Sequence, residues 1–287
     1  MKLYLYAKSG HNFGLENIRR ISAINSVLKE FDPILCSADY RAATFAKQYL
    51  GVDKGVGVDV IGNLPNVMER GDMLIYDDSN EASDTMNKHI KEFCKHSYKL
   101  GSDIPFDIVD ETFIPNNDIK YEKSIFFSDD DYANWFYDLV IKGGKHDIAL
   151  SLGHYFFFGN EDTLKKYFSE VLEEDEYIDT IKSTKYLLTS SVHSCLESLA
   201  CENYPVYFKR YDKENIENIE LLEKYNIPII AISEAKSFDD IVNKFDDIIT
   251  SYPKLKKIEK VDISAIKDEI EKTIKLFEHI MPSLEYK

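Results

Sequence analysis

Tyr186-Leu-Leu-Thr-Ser-Ser-Val-His-Ser-Cys-Leu-Glu-Ser-Leu-Ala200, followed after four residues by Pro205-Val-Tyr-Phe208, shows the repeating unit of this chain in its plainest form. Tyr186 to Thr189 reads as a strand and Ser190–Ser194 as a polar loop. A helix is expected from there to about Glu202, and Pro205–Phe208 is the next strand. Ser194-Cys-Leu-Glu197 has the Ser-x-x-Glu form of a capping box, which satisfies backbone N–H groups at a helix start. A strand apolar on both faces, then a helix, then another strand, is the unit of a parallel sheet covered on both sides.

The same alternation runs outward in both directions. Upstream, Lys2–Tyr6 is a strand, Ser9–Gly14 a loop, and Ile18, Ile21, Ile24, Val27, Leu28 and Phe31 follow at helical spacing. Pro33–Cys36 is a strand, 39–50 a helix capped by Gly51, Val56–Ile61 and Met73–Tyr76 are strands, and Glu81–Cys94 is a helix. Residues 97–130 read as irregular connection with a strand at Ile125–Phe127. Asp131–Ile141 is a helix that Gly143-Gly144 breaks. Ile148–Leu152 is a strand, Gly153–Asn160 an aromatic loop and Asp162–Leu172 a helix. Downstream, 214–225 is a helix and Pro228–Ile232 a strand. Ser237-Phe-Asp-Asp240 is a capped helix start, and 262–280 is a long amphipathic helix with Ile263, Ile266, Ile270, Ile274 and Phe277 on one face. The expected fold class is α/β with two Rossmann-like halves. The expected domains are 1–140, 141–260 carrying the nucleotide, and a C-terminal helix, 261–287, returning toward the first.

Composition narrows the function classes. A chain of 287 residues buries a core without disulfide or metal, and 19 Tyr with 17 Phe supply much of it. The four cysteines form no Cys-x-x-Cys pair, so neither a structural zinc nor a disulfide framework is expected. A net charge of −16 repels phosphate backbones and argues against nucleic acid as a partner, though not against one small anion. No apolar run is long enough to span a bilayer, and the start lacks a signal peptide's apolar stretch, so a cytoplasmic protein is expected. No cofactor is called for, and the sequence names no protein partner.

In parallel α/β sheets ligands bind beyond the carboxyl ends of the strands, which singles out three loops. The first holds Gly10, His11, Asn12, Phe13 and Gly14, where glycines let backbone N–H groups approach a ligand and His11 is a candidate base. The bland alternative is a tight turn with His11 in solvent. The second is Ser151–Gly159, with Gly153-His154 directly after a strand and four aromatics from Tyr155 that either stack on a base or belong to the core. The third is Thr189, Ser190, Ser191, His193 and Ser194, with Glu197 one turn into the helix. Hydroxyls and N–H groups at a helix start suit a diphosphate, and Glu197 either accepts from ribose hydroxyls or completes the cap. A Ser–His hydrolase is disfavoured because no Gly-x-Ser-x-Gly elbow exists. Asp77-Asp78 and Asp129-Asp-Asp131 read as solvated turn residues rather than magnesium ligands, since consecutive carboxylates point apart.

Phe13-Gly14, Ile18-Arg19-Arg20, Gly153 after its strand, and Thr189-Ser-Ser with Glu197 and Pro205 together resemble the GT-B nucleotide-sugar fold. In layout they are nearest the UDP-sugar hydrolase of pseudaminic acid biosynthesis. The resemblance implies a nucleotide-activated sugar bound in an interdomain cleft and hydrolysed or transferred, in surface-glycan or glycoconjugate biosynthesis. It places Gly10–Gly14 with Asn17 on the sugar side; His11, a few residues before the family's histidine position, is the candidate base in its stead, and Arg19 the charge stabiliser. Gly153, His154, Thr189–Ser191, His193, Ser194 and Glu197 would hold the nucleotide. Two departures stand out. Asn17 falls where the family has its catalytic histidine. Only ~35 residues separate Gly153 from Tyr186, short for a further strand–helix–strand passage, so a trimmed second half is expected. Ser190–Pro205, with Ser191-Val-His193, also resembles polysaccharide pyruvyltransferases. A binding module that has lost its chemistry is the third reading.

Overall fold

The computed structural model describes residues 1–11, 13–79, 82–155, 159–211 and 219–280. The chain forms two compact units. One comprises Met1–Ser9, Asn17–Asp110 and Lys260–Lys287, and the other Gly10–Glu16 and Glu111–Glu259.

The first unit is built on β1 (Leu3–Ala7), α1 (Glu16–Leu28), β2 (Ile34–Ser37), α2 (Tyr40–Tyr49), β3 (Gly55–Gly57), β4 (Met73–Asp77), α3 (Asp84–Phe93) and β5 (His96–Lys99). Its sheet is parallel throughout, in the order β3-β2-β1-β4-β5. Every residue of β1 and of β4 is buried, as central strands covered on both faces must be. Asp39 caps α2 by accepting from the Arg41 N–H at 2.8 Å, and Ser83 caps α3 through Met86 N–H at 3.2 Å. Gly51 has φ +66°, the left-handed conformation expected just past a helix end.

The second unit follows with β6 (Tyr121–Phe126), α4 (Trp135–Val140), β7 (Ala149–Ser151), α5 (Glu161–Leu164), β8 (Glu170–Leu172), α6 (Tyr177–Ser183), β9 (Thr184–Thr189), α7 (Val192–Ala200), β10 (Tyr204–Phe208), α8 (Glu220–Tyr225), β11 (Ile229–Ile230) and α9 (Phe238–Thr250). This sheet is also parallel, in the order β11-β10-β9-β6-β7-β8. Its core is aromatic: the Phe127 and Phe136 rings stack with centroids 4.7 Å apart, and Phe238 meets Phe136 edge-on at 5.3 Å. Ser237 and Asp240 complete the capping box read from the sequence at the start of α9.

Strand order reverses between β1 and β4 in one sheet and between β6 and β9 in the other. These are the topological switch points at which an open α/β sheet leaves a crevice. The chain closes with α10 (Ser264–Ile280), in the first unit. Ile263 and Ile270 of its predicted stripe are buried. On β5, the Tyr98 hydroxyl donates to Glu269 at 2.6 Å and His96 Nε2 lies 2.9 Å from Thr273 Oγ1.

Four sequence expectations need correction. The first domain does not run to residue 140: the units divide at 110/111, because β6 is a central strand of the second sheet. The stretch 97–130 is not all irregular. β5 escapes the apolar pattern because it is a half-buried edge strand whose polar side chains bond to α10. Residues 162–172 are not one helix but α5 and then the strand β8. The second half is not trimmed either. The short interval holds the full passage in miniature, α5, β8 and α6 having four, three and seven residues. Residues 214–218 of the helix expected at 214–225 lie outside the described residues, and α8 spans Glu220–Tyr225. Among the described residues no helix is long and apolar enough to cross a membrane.

Candidate functional site

β6 delivers Phe127-Ser-Asp-Asp-Asp131 to the switch point of the second sheet, and all three aspartates are buried rather than solvated. Buried carboxylates need hydrogen-bond donors, and these have them. Asp131 accepts from the backbone N–H groups of Phe136 at 3.0 Å and Tyr137 at 2.9 Å, fixing the start of α4. Arg210 donates to Ser128 Oγ at 2.6 Å and to the Asp130 carbonyl at 2.9 Å, and its guanidinium lies 4.3 Å from the centre of the Phe127 ring.

Asp129 ties the first two predicted loops together. Its Oδ2 accepts from the Leu15 N–H at 2.8 Å, and its carbonyl accepts from the Tyr155 N–H at 2.7 Å. The glycines of both loops serve this junction. A Cβ on Gly14, which has φ +66°, would fall 2.5 Å from Asp129 Oδ2, and one on Gly153 would fall 2.2 Å from the Ser128 carbonyl oxygen. Their close approach is therefore to the protein's own backbone and carboxylate. The Gly10 carbonyl accepts from Phe13 and Gly14 N–H at 3.0 and 2.8 Å, closing a tight turn that leaves His11 exposed. The His11 ring meets Tyr155 edge-on at 5.0 Å, and the His154 ring lies 6.2 Å from the same tyrosine. Two imidazoles from loops some 140 residues apart in sequence thus share one buried phenol. Phe13 is half-buried; Asn12 and Phe156–Phe158 lie outside the described residues.

The third loop is built differently from the expectation. Ser191, not Ser194, caps α7, its Oγ accepting from the Ser194 N–H at 3.0 Å. Glu197 therefore lies too far along the helix for a capping box. Its carboxylate instead accepts from the Tyr177 hydroxyl, which also lies 2.7 Å from Ser194 Oγ. His193 Nε2 is 3.4 Å from Glu197 Oε1. Thr189 Oγ1 accepts from Ser191 N–H at 3.1 Å, and Ser190 Oγ donates to the Phe208 carbonyl at 2.7 Å. All six predicted side chains are buried, and Phe126 covers Tyr177 edge-on at 4.7 Å.

Asn17 and Arg19 belong to the first unit and are buried there. Asn17 Nδ2 donates to the Lys8 carbonyl at 2.9 Å and to Ser79 Oγ at 2.7 Å, and its Oδ1 accepts from Arg20 at 2.5 Å. Arg20 Nε also donates to Asp77 at 2.8 Å, and Lys99 Nζ lies 3.1 Å from Asp78. Asp77 and Asp78, read as solvated, are thus buried ion-pair partners. Burial, and then the Asp78 carboxylate, push the neighbouring Tyr76 phenol up to about 12. Sequence reasoning missed Asp129 and Tyr177, which organise the loops. The available signal for Asp129 was its place directly after an apolar run at a strand end.

No family model matches the chain, and no curated protein sequence matches it. Among solved structures, HepE of Anabaena in complex with UDP and glucose is similar, with a TM-score of 0.50 at 11% identity over 96% of this chain and 99% of that one. MurG of Acinetobacter baumannii scores 0.48 at 10% identity over 87% and 91% of the two chains. The E. coli heptosyltransferase WaaC with ADP scores 0.47 at 8% identity over 87% and 98%. The likeness to HepE is one of fold: this chain has the GT-B architecture, two parallel-sheet α/β halves with a helical C-terminal segment.

Proposed function

We propose that this protein binds a nucleotide-activated sugar at the carboxyl end of the second sheet and transfers the sugar to a hydroxyl acceptor. The observation that carries the reading is the junction at Asp129, which gathers the first two loops and leaves His11 exposed beside Tyr155 and His154. In this reading His11 takes the proton from the acceptor oxygen as that oxygen bonds to the anomeric carbon. The bond from that carbon to the phosphate oxygen breaks, and the nucleotide leaves with the electron pair. Water in place of the acceptor gives hydrolysis, the reaction implied by the pseudaminic-acid resemblance. His11 and His154 would face the ligand, held in place by the Gly14 and Gly153 turns, with Thr189–Ser194 and Glu197 supporting the site. The HepE structure, solved with UDP and glucose, has the same fold and is consistent with this ligand class.

A second reading is a binding module without turnover. The internal hydrogen bonds of the third loop and of Asn17 favour it, since those groups already serve the fold. Incubation with UDP-, GDP-, ADP- and CMP-sugars, with released nucleotide quantified, separates the two. For the enzyme, turnover falls about 10²–10⁴-fold in His11→Ala, while the nucleotide still raises the melting temperature. Binding with no turnover of any donor supports the module. Absence of a melting shift with every nucleotide overturns both.

A further inference from the structure

The first unit contains a cavity of about 220 Å³ beside β4, lined by none of the residues of the three loops described above. It lies between the 3₁₀ turn at Ile61–Asn66 and α3 and reaches down to Leu74 at the amino end of β4. Its wall is apolar: Leu64, Met68, Leu74 and Ile90 are buried, and Met86 and Phe93 are half-buried. Two methionines in one wall make it adaptable, because the unbranched thioether chain moves at little cost. Its exposed lining residues are Gly62, Pro65, Arg70, His89 and Glu92, so the mouth faces solvent there. Arg70 donates to the Glu92 carbonyl at 3.3 Å, which holds its guanidinium at the rim. Arg70 is the one arginine or lysine of the lining and Glu92 its one carboxylate, in a chain whose net charge is −16.

We infer that this cavity is a binding site for a medium-chain aliphatic anion, a carboxylate or phosphate monoester whose tail enters between Met68 and Met86 and whose head meets Arg70. An apolar cavity of about 150 Å³ holds a benzene ring, so this one holds roughly half as much again, a tail of about eight carbons. A charged head at the mouth keeps its water while the tail leaves water, the same division that lets long amphipathic side chains cover apolar surface. The site does not depend on the sugar-transfer reading. The head group is the shared chemistry of a free acid and of a lipid, and the two differ in where the ligand resides.

Titration of the full chain with octanoate tests the inference. Octanoate raises the melting temperature and shifts the Met68 and Met86 methyl resonances, while Met73, buried in β4, stays in place. 1-Octanol binds at least tenfold more weakly, and Arg70→Gln brings octanoate down to the 1-octanol level. Gly62→Phe, at an exposed position with an ordinary φ whose Cβ points at the Met86 methyl 3.2 Å away, blocks the mouth and weakens octanoate at least tenfold. Met86→Trp fills the cavity from the other side and serves where Gly62→Phe does not fold. Equal affinity in wild type and in the folded blocked variant overturns the inference, as does octanoate without effect on the two methyl resonances. Association with vesicles of anionic lipid that Gly62→Phe abolishes assigns the ligand to a membrane. Octanoate binding without vesicle association assigns it to a free acid.

Discussion

The two switch points have the same strand topology and opposite chemistry. At the first, between β1 and β4, charge is met by charge: Arg20 pairs with Asp77, Lys99 with Asp78, and Asn17 joins the network. At the second, between β6 and β9, two of the carboxylates are met by backbone. Asp131 takes the N–H groups that open α4, and Asp129 takes the N–H of Leu15. An ion pair neutralises itself and can close a crevice. A carboxylate bonded to loop N–H groups orders those loops while their other side chains stay available. The second end therefore holds exposed and half-buried imidazoles, whereas the first holds a buried polar network.

The largest effect is expected where that contrast is sharpest. Arg20→Met leaves Asp77 buried without its cation and costs about 3–5 kcal/mol, measured by urea unfolding. Adding Asp77→Leu restores most of the loss, because a paired charge exchanged for apolar packing is often neutral. If the double variant is no more stable than the single, the cluster is not a self-neutralising pair. Gly153→Ala in the second unit costs about 3 kcal/mol, since overpacking displaces backbone rather than a flexible side chain. Asp129→Ala costs about 1–3 kcal/mol for the orphaned Leu15 N–H. On the proposed function it also lowers nucleotide-sugar turnover, whereas the Arg20→Met/Asp77→Leu pair leaves the second sheet's loops in place.

The thiols respond to pH alike in the two units. Burial pushes Cys36, Cys94 and Cys201 from 9.0 to about 12. The folded chain keeps three protons that the unfolded chain releases above about pH 9, so stability falls as pH rises from 9 toward 12. At pH 8 these thiols resist iodoacetamide in the native state and react after unfolding, as mass spectrometry will report. The smallest effect on stability is His11→Ala, within about 0.5 kcal/mol because the ring is exposed.

Much of the architecture was legible. The β1 and β9 runs, the Gly51 stop after α2 and the capped start of α9 carry their pattern locally, through period, caps and turn residues. β5 was not legible, because His96 and Tyr98 are polar residues made into a strand by α10, some 170 residues away. Nor was β8, a three-residue edge.

For the site, the sequence by itself determined where to look: after β1, β7 and β9, at strand ends before helices. Tertiary structure decided what each loop does. Gly14 and Gly153 read as room for a ligand and prove to be room for Asp129 and Ser128. Glu197 read as a cap or a ribose acceptor and bonds to Tyr177. The reason is physical. A residue's φ preference and helix position are set by near neighbours, whereas a buried carboxylate's partner is set by whichever donor the fold brings within about 3 Å.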